Sequence, residues 1–408
     1  MTKLISLLLI YLLSIPVLHA QIDSLLLRPL PKDSAKTINL NMDAIYNRPF
    51  WNMGKMPVSI GGYAEVNWQH IGTDGVSEGH QFQMRRMTLF VASDINKRIK
   101  FLSEIELEEG GKEINIEFAA VDMEIKPLLN LRGGIVMNPI GGFNQNHDGP
   151  KWEFTDRPIA STQMLPATFS NAGFGLFGKM VRHQWMLGYE AYVTGGFSKA
   201  IIDNEEGKTF LPAAKNNPER FEEGNLLFTG KIAAGKKNIG ELGLSVMSGA
   251  YNKKMEDGIP IEDKTRRATV LAIDYNNTLP GINSFITGEW AWVWVDVPTN
   301  YTQQYGNKQM GGFIDIVQPI LKKKMLGWDD AQLNVALRCE YVDWNAGQFT
   351  TDGSRIGENL WSIMPAISFR PGTQTVIRLN YRYQQQKDLH NNPPSKTGGF
   401  SIGLSTYF

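Results

Sequence analysis

The chain has 408 residues, with 41 basic and 41 acidic side chains and a single cysteine, Cys339. The balanced charge excludes a protein that binds nucleic acid through bulk positive charge. One cysteine excludes a disulfide framework and a thiolate metal cluster, and the 40 glycines and 20 Phe, 13 Tyr and 10 Trp residues favour β-structure with many turns.

The first twenty residues have the pattern of a secretory signal. Lys3 precedes the apolar run 4–13, and Pro16 and Ala20 follow it, with Ala20 as the expected cleavage site. A transmembrane anchor is the alternative, but the apolar run is too short to cross a bilayer as a helix. We therefore predict a signal peptide over residues 1–20.

Residues 21–57 differ in pattern from the rest of the chain. They contain four prolines, at positions 29, 31, 49 and 57, and they show no sustained periodicity. Such a segment is typical of an extended stretch before a folded domain.

From residue 58 onwards, apolar and polar side chains alternate with the period of a β-strand. In 376–384, for example, Arg378 and Arg382 fall on one face, and Ile377 and Leu379 fall on the other. A helix would scatter these residues around its circumference, whereas a strand sorts them onto two faces. The alternation therefore indicates strands through the whole of 58–408.

Sixteen strands are predicted. They lie at 58–69, 80–94, 97–108, 113–126, 129–139, 172–182, 184–197, 223–236, 239–248, 266–277, 282–297, 308–318, 329–345, 356–370, 373–386 and 398–408. The connections at one end are mostly long, among them 70–79 and 140–171, and those at the other end are mostly tight. The exceptions are 109–112, which is short, and 319–328, which is long.

This alternation of long and short connections is the plan of a transmembrane β-barrel with long extracellular loops and short periplasmic turns. We therefore predict an all-β fold, a sixteen-stranded antiparallel barrel over residues 58–408, preceded by 21–57 as an extended periplasmic segment. A soluble β-sandwich is the alternative, because a solvated sheet face could also carry the polar residues.

Two stretches resemble the phosphate-selective porin (O and P type) family. Residues 81–90, which include Arg85 and Arg86, resemble the early arginine-pair strand of that family, and 131–140 is similar to its element of strand, proline and long loop. Phe408 ends an amphipathic last strand, which resembles the signal read by outer-membrane assembly machinery. The resemblance implies an outer-membrane channel of a Gram-negative bacterium, a homotrimer, and a loop 140–171 that folds inward as a constriction.

The residues expected to line such a channel carry charges of both signs. The candidates on strands are Arg132, Lys231, Arg338, Arg378, Arg382, Glu104, Glu106, Glu108 and Glu340, and those on the constriction loop are Lys151, Arg157, Asp148, Glu153 and Asp156. Anion selection needs clustered cations, and no basic ladder emerges, so weak selectivity is predicted with a slight preference for cations. Of Arg85 and Arg86, one should face the lumen and the other the lipid, unless a β-bulge intervenes.

These patterns predict a porin, a water-filled channel for passive diffusion of small hydrophilic solutes or ions. The alternative is a non-channel barrel that acts as a receptor or as part of a larger membrane assembly. An enzyme is not expected, because the nucleophile-elbow spacing of 75–79 lies between strands rather than in a strand–turn–helix. No cofactor and no metal site are expected, and the expected partners are outer-membrane lipids, the assembly machinery and small solutes, without nucleic acid.

Overall fold

The computed structural model describes residues 19–21, 39–52, 58–108, 110–215, 225–252, 255–256, 259–260, 264–298, 306–349 and 352–408. Within these ranges, sixteen long antiparallel strands form a closed barrel, which confirms the predicted fold class. Their bounds are Val58–Thr73 (β1), Val76–Asn96 (β2), Ile99–Glu108 (β3), Glu113–Lys126 (β4), Leu129–Met137 (β5), Ser170–Arg182 (β6), Trp185–Gly195 (β7), Leu226–Lys236 (β8), Gly240–Ala250 (β9), Arg267–Thr278 (β10), Phe285–Val295 (β11), Lys308–Lys322 (β12), Gln332–Asp343 (β13), Asn359–Gly372 (β14), Thr375–Gln386 (β15) and Ser395–Tyr407 (β16).

Each strand pairs with its neighbours in the chain, and β16 pairs with β1 to close the barrel. Tyr407 lies opposite Tyr63 at one end of this seam. Beyond it, the Phe408 N–H donates to the Gly62 carbonyl at 3.0 Å, and the Gly62 N–H donates to the Phe408 carbonyl at 3.2 Å. Among the described residues, closure leaves no unpaired edge in the sixteen-stranded wall, as a barrel in lipid requires.

Deleting Phe408 is expected to reduce the amount of folded barrel in the membrane. The deletion removes both backbone hydrogen bonds to Gly62 and the aromatic ring that lies against this glycine. Heat-modifiable, folded protein measured on gels should fall relative to wild type, and Phe408→Tyr, which keeps a terminal ring, is the matched control. Equal folded amounts in the deletion and the wild type would contradict the prediction.

The two faces of the wall differ in polarity as the alternation predicts. On β15 the outward residues Ile377 and Leu379 are exposed, and the inward residues Arg378 and Asn380 are buried. None of the helices in the described ranges is long and apolar enough to cross a membrane. The apolar exterior matches the lipid-facing surface of a membrane barrel.

The first hairpin differs from its prediction. Instead of a loop over 70–79, β1 and β2 continue to a two-residue turn at Asp74 and Gly75, whose φ angles are 52° and 86°. Positive φ at both central residues is the geometry that an Asp-Gly pair favours in a hairpin. The connection 319–328 also differs, because β12 continues to Lys322 before the chain turns.

The described residues 39–52, called here the N-terminal segment, do not form the extended stretch predicted for 21–57. They fold inside the barrel with a 3₁₀ turn at Asn41–Asp43 and a short strand at Pro49–Asn52, which pairs with β1 and with residues His19–Gln21. Ile45, Tyr46 and Phe50 are buried against the wall, and this apolar contact explains the difference. The predicted signal peptide lies mainly outside the described residues.

The connection between β5 and β6, residues 138–169, is called here the inner loop. It contains short helical turns at Asn144–Asn146, Gly149–Lys151 and Ala160–Met164. Its apolar residues, such as Ile140 and Met164, belong to a buried cluster that continues onto the inner wall. The loop therefore folds into the lumen, where it meets the N-terminal segment at the contact between Asp148 and Arg48. That the loop acts as a constriction stays a prediction.

Candidate functional site: the filled barrel lumen

Arg338 ties the wall to the inner loop. Its guanidinium group forms two hydrogen bonds of 2.7 Å with the Asp315 carboxylate on the neighbouring strand and donates at 2.7 Å to the backbone carbonyl of Asp156. It also lies 4.4 Å from the centre of the Phe154 ring. Because Arg338 and Asp315 are both fully buried, their charges neutralise one another rather than face an open pore.

Arg378 and Lys231 repeat this arrangement at other heights of the wall. Arg378 contacts Glu65 at 2.7 Å and donates to two carbonyl oxygens of the inner loop, at 3.1 and 2.9 Å. Lys231 contacts Asp274 at 2.8 Å and donates to a loop carbonyl at 2.7 Å. Each cation thus pairs within the wall and also binds the loop.

Two wall carboxylates also bind the inner loop, but as hydrogen-bond acceptors, whereas the wall cations bind it as donors. Glu289 accepts the backbone N–H groups of Gly142 and Phe143 at 2.9 and 3.0 Å. Glu340 accepts the Ile159 N–H at 2.8 Å. These bonds satisfy loop donors that would otherwise be buried without partners, so the wall fixes the loop backbone as well as its side chains.

The N-terminal segment meets the inner loop at Arg48. Its guanidinium group contacts Asp148 of the loop at 2.7 Å and Glu104 of β3 at 2.8 Å. His147 lies 3.2 Å from Glu104, and Lys151 lies 3.2 Å from Asp148. Burial raises the pKa of the Asp148 carboxyl, but Arg48 and Lys151 outweigh it and hold that pKa below its usual range.

Glu104, His147 and Asp148 bring possible metal ligands together, with their ligand atoms within 4.8 Å of one another. Arg48 already places its charge on both carboxylates. A cation there would have to displace the guanidinium group, so the arrangement fits an ion-pair junction better than a metal site.

Arg132 forms a second junction with the N-terminal segment. It contacts Asp122 through two hydrogen bonds, at 2.7 and 2.9 Å, and its guanidinium group lies 4.6 Å from the centre of the Phe177 ring. The Tyr46 hydroxyl donates to Asp122 and accepts from Arg132. Arg132 thus binds the segment instead of facing open water.

Both arginines of the resembling strand face the lumen. The pairing of β1 with β2 shifts register between Glu65 and Val66, so that Glu65 lies opposite Arg86 and Val66 lies opposite Met84. Arg85 is the extra residue of this β-bulge, and a bulge re-aims the side chains on either side of it. A β-bulge was the one condition under which both arginines could face the lumen, and this β-bulge is present.

Above the inner loop, on the long-loop side, lies a cavity of about 490 Å³, called here the vestibule. Its charged lining consists of Arg85, Arg86, Arg157, Arg382, Asp156 and Glu78. Asp156 contacts Arg85 at 2.6 Å and Arg382 at 3.3 Å. Burial raises the pKa of Asp156, but these two cations outweigh it and lower it, so the carboxylate stays ionised between them.

Glu106 and Glu153 are also engaged in ion pairs. Glu106 is fully buried and lies 3.2 Å from Arg86 and 3.8 Å from Arg157. Glu153 pairs with Arg370 at 2.6 Å. Glu108 is half-buried near the rim. Because Glu104 and Glu106 are covered by arginines, the excess of glutamates in the sequence does not translate into an acidic pore surface.

Several partners were not singled out from the sequence. Asp122 and Asp315 each pair with a predicted cation on the neighbouring strand, and Asp274 pairs with Lys231 across the intervening strand β9. The alternation of the strands could have identified these aspartates as inward-facing. Asp315, for example, lies between the outward residues Ile314 and Ile316 and therefore points into the barrel. Arg48 had no such signal, because the N-terminal segment has no periodicity.

No family model matches the chain. One curated relative, an uncharacterized protein of Aquifex aeolicus, is 32% identical over 212 residues, which are 50% of this chain and 46% of that protein. The match therefore spans about half of each chain.

Three solved structures share the fold at low identity. Salmonella typhi OmpF, in a complex with daunomycin, has a TM-score of 0.52 and 9% identity over 86% of this chain and 98% of its own. A loop L8 deletion mutant of Vibrio cholerae OmpT gives 0.51 and 9%, over 86% and 100%. Pseudomonas putida OprB gives 0.50 and 10%, over 86% and 93%. With its closed sixteen-stranded wall and apolar exterior, the chain has the fold of an outer-membrane β-barrel, and it is an outer-membrane protein.

Proposed function

We propose that the protein is an outer-membrane channel through which small hydrophilic solutes or ions diffuse passively, and that it has no enzymatic activity. The observation that supports this function best is the charged inner wall of a sixteen-stranded barrel, a size that can enclose an aqueous lumen. The vestibule opens on the long-loop side, and a cavity of about 320 Å³ lies between the N-terminal segment and the inner loop near the short-turn side.

Weak selectivity belongs to the same proposal. Wall cations such as Arg338 and Arg378 are neutralised by carboxylates within hydrogen-bond distance. Paired charges cancel beyond about 8 Å at physiological salt. A solute in the lumen would therefore meet little net field, except in the vestibule, where four arginines face two carboxylates.

Ion conductance across a planar bilayer tests the channel. The purified protein is expected to form discrete conductance steps, and its reversal potential in a salt gradient should stay close to zero. A control in the same detergent without protein sets the baseline. Strong anion preference, with phosphate blocking chloride current at low concentration, would contradict weak selectivity. It would instead support a phosphate-selective channel like those of the family that the sequence resembles.

A barrel that serves as a receptor or as part of a larger assembly is the second candidate. The filled lumen favours it, because the inner loop and the N-terminal segment leave less open space than the strand number alone predicts. A folded barrel without conductance under any condition would support this candidate. Assembly into a homotrimer, recognition by the assembly machinery and the identity of the solute stay predictions. Chemical cross-linking in native membranes tests the homotrimer.

A further inference from the structure

The N-terminal segment occupies the short-turn side of the lumen as a separate body inside the wall. In the described residues, the backbone–backbone hydrogen bonds of 39–48 all lie within the segment itself. Only Pro49–Asn52 joins the sheet, through its pairing with β1 at Ile60 and Ser59. Residues 39–44 could therefore leave the lumen without breaking a strand pairing of the barrel.

The ties that hold residues 39–44 to the wall are mainly polar contacts. Asp43 contacts Lys179 of β6 at 2.5 Å, and both side chains are buried. The Asn41 N–H donates to both carboxylate oxygens of Glu241 on β9, at 3.0 and 2.9 Å. Tyr46 and Arg48, by contrast, lie at the buried junctions with Asp122 and Glu104, so they anchor residues 45–48 to the wall.

The apolar part of this contact is small for residues 39–44. Leu40 and Met42 pack with Phe177 and Met186 of the wall in a cluster of only four buried residues. Buried ion pairs add little net stability, because the cost of removing both charges from water offsets their attraction. When residues 39–44 leave while Ile45, Tyr46 and Arg48 stay in place, Lys179 and Glu241 would regain water at the mouth, so the two positions of 39–44 can lie close in free energy.

We propose that residues 39–44 are a gate, which closes the short-turn mouth of the lumen in this state and swings out about the anchored residues 45–48 to open it. This proposal rests on the proposed channel function. The proposal also explains the position of Lys179, a wall cation that contacts the segment but neither the inner loop nor the vestibule.

Single-channel recording of full-length variants at the Asp43–Lys179 pair tests the gate. Lys179→Met removes the cation but keeps the length of the side chain, and the open-to-closed ratio should rise about tenfold, which corresponds to ~1.4 kcal/mol. The reciprocal exchange D43K/K179D restores an ion pair and should return the ratio towards wild type. Lys324→Ala, at an exposed ion pair with Asp329 outside the lumen, is the control and should gate as wild type does.

A second variant covers the case in which Lys179→Met does not fold. Asp43→Asn is milder, because asparagine keeps an oxygen that can accept a hydrogen bond from Lys179, and it should raise the open-to-closed ratio in the same direction. Folded variants, verified by heat-modifiability, that gate as the wild type does would overturn the proposal and leave the channel function standing. Folded protein that conducts in none of these forms would refute the channel function, and the gate with it.

Discussion

Replacing Arg338 by methionine is expected to lower the free energy of unfolding of the barrel by about 3–5 kcal/mol, the usual loss when one partner of a buried ion pair is removed. The variant leaves the Asp315 carboxylate in the wall without its two hydrogen bonds from Arg338, and it releases the Asp156 carbonyl of the inner loop. Urea unfolding in detergent micelles measures the change.

The double variant R338M/D315L separates the buried charge from the lost side chain. Replacing both partners of a buried pair by apolar residues is often nearly neutral, so the double variant should recover most of the stability lost in R338M. The missing bond to Asp156 should leave it somewhat below wild type. Lys324→Ala, in the exposed Lys324–Asp329 pair, should change little. A double variant as unstable as R338M would show that the loss does not arise from the uncompensated carboxylate.

The strands could be predicted because their signal is local. Alternation assigns each residue of a strand to one of two faces, and the apolar faces of β13 and β15 must contact lipid, so their polar faces can only point inward. The turn at Asp74 and Gly75 was missed although Asp-Gly is a strong hairpin signal. Where a strand extends beyond the membrane, both of its faces carry polar residues. The alternation is then lost, and the sequence cannot be distinguished from a loop.

The contents of the lumen could not be predicted in the same way. Arg378 and its partner Glu65 are 313 residues apart, and Arg48 and Asp148 are 100 residues apart. Alternation gives the face of a side chain but neither its height in the barrel nor the neighbour opposite. A count of inward charges therefore predicts mixed sign correctly, but it cannot show that nearly every one of those charges is already paired with the wall, the inner loop or the N-terminal segment.

Replacing Asp156 by asparagine is expected to shift the reversal potential of the channel towards anion preference. Asp156 is the carboxylate that separates Arg85 from Arg382 in the vestibule, and its ionised state follows from its lowered pKa. The substitution changes the vestibule from four cations and two anions to four cations and one anion. A unit charge about 8 Å from a passing ion is worth ~0.5 kcal/mol even in water, roughly a twofold change in local ion concentration.

The matched control for Asp156→Asn is Glu78→Gln, which makes the same change of formal charge at an exposed position of the vestibule rim. Solvent and salt screen a charge there, so the reversal potential of Glu78→Gln should stay close to that of wild type. Asparagine keeps an oxygen that can accept a hydrogen bond from Arg85, and heat-modifiability would verify that the inner loop and barrel remain folded. If both variants shift the reversal potential equally, the net charge of the protein matters more than the place of Asp156 between two arginines. If neither variant shifts it, ions do not pass through the vestibule, and the path through the barrel must lie on the other side of the inner loop.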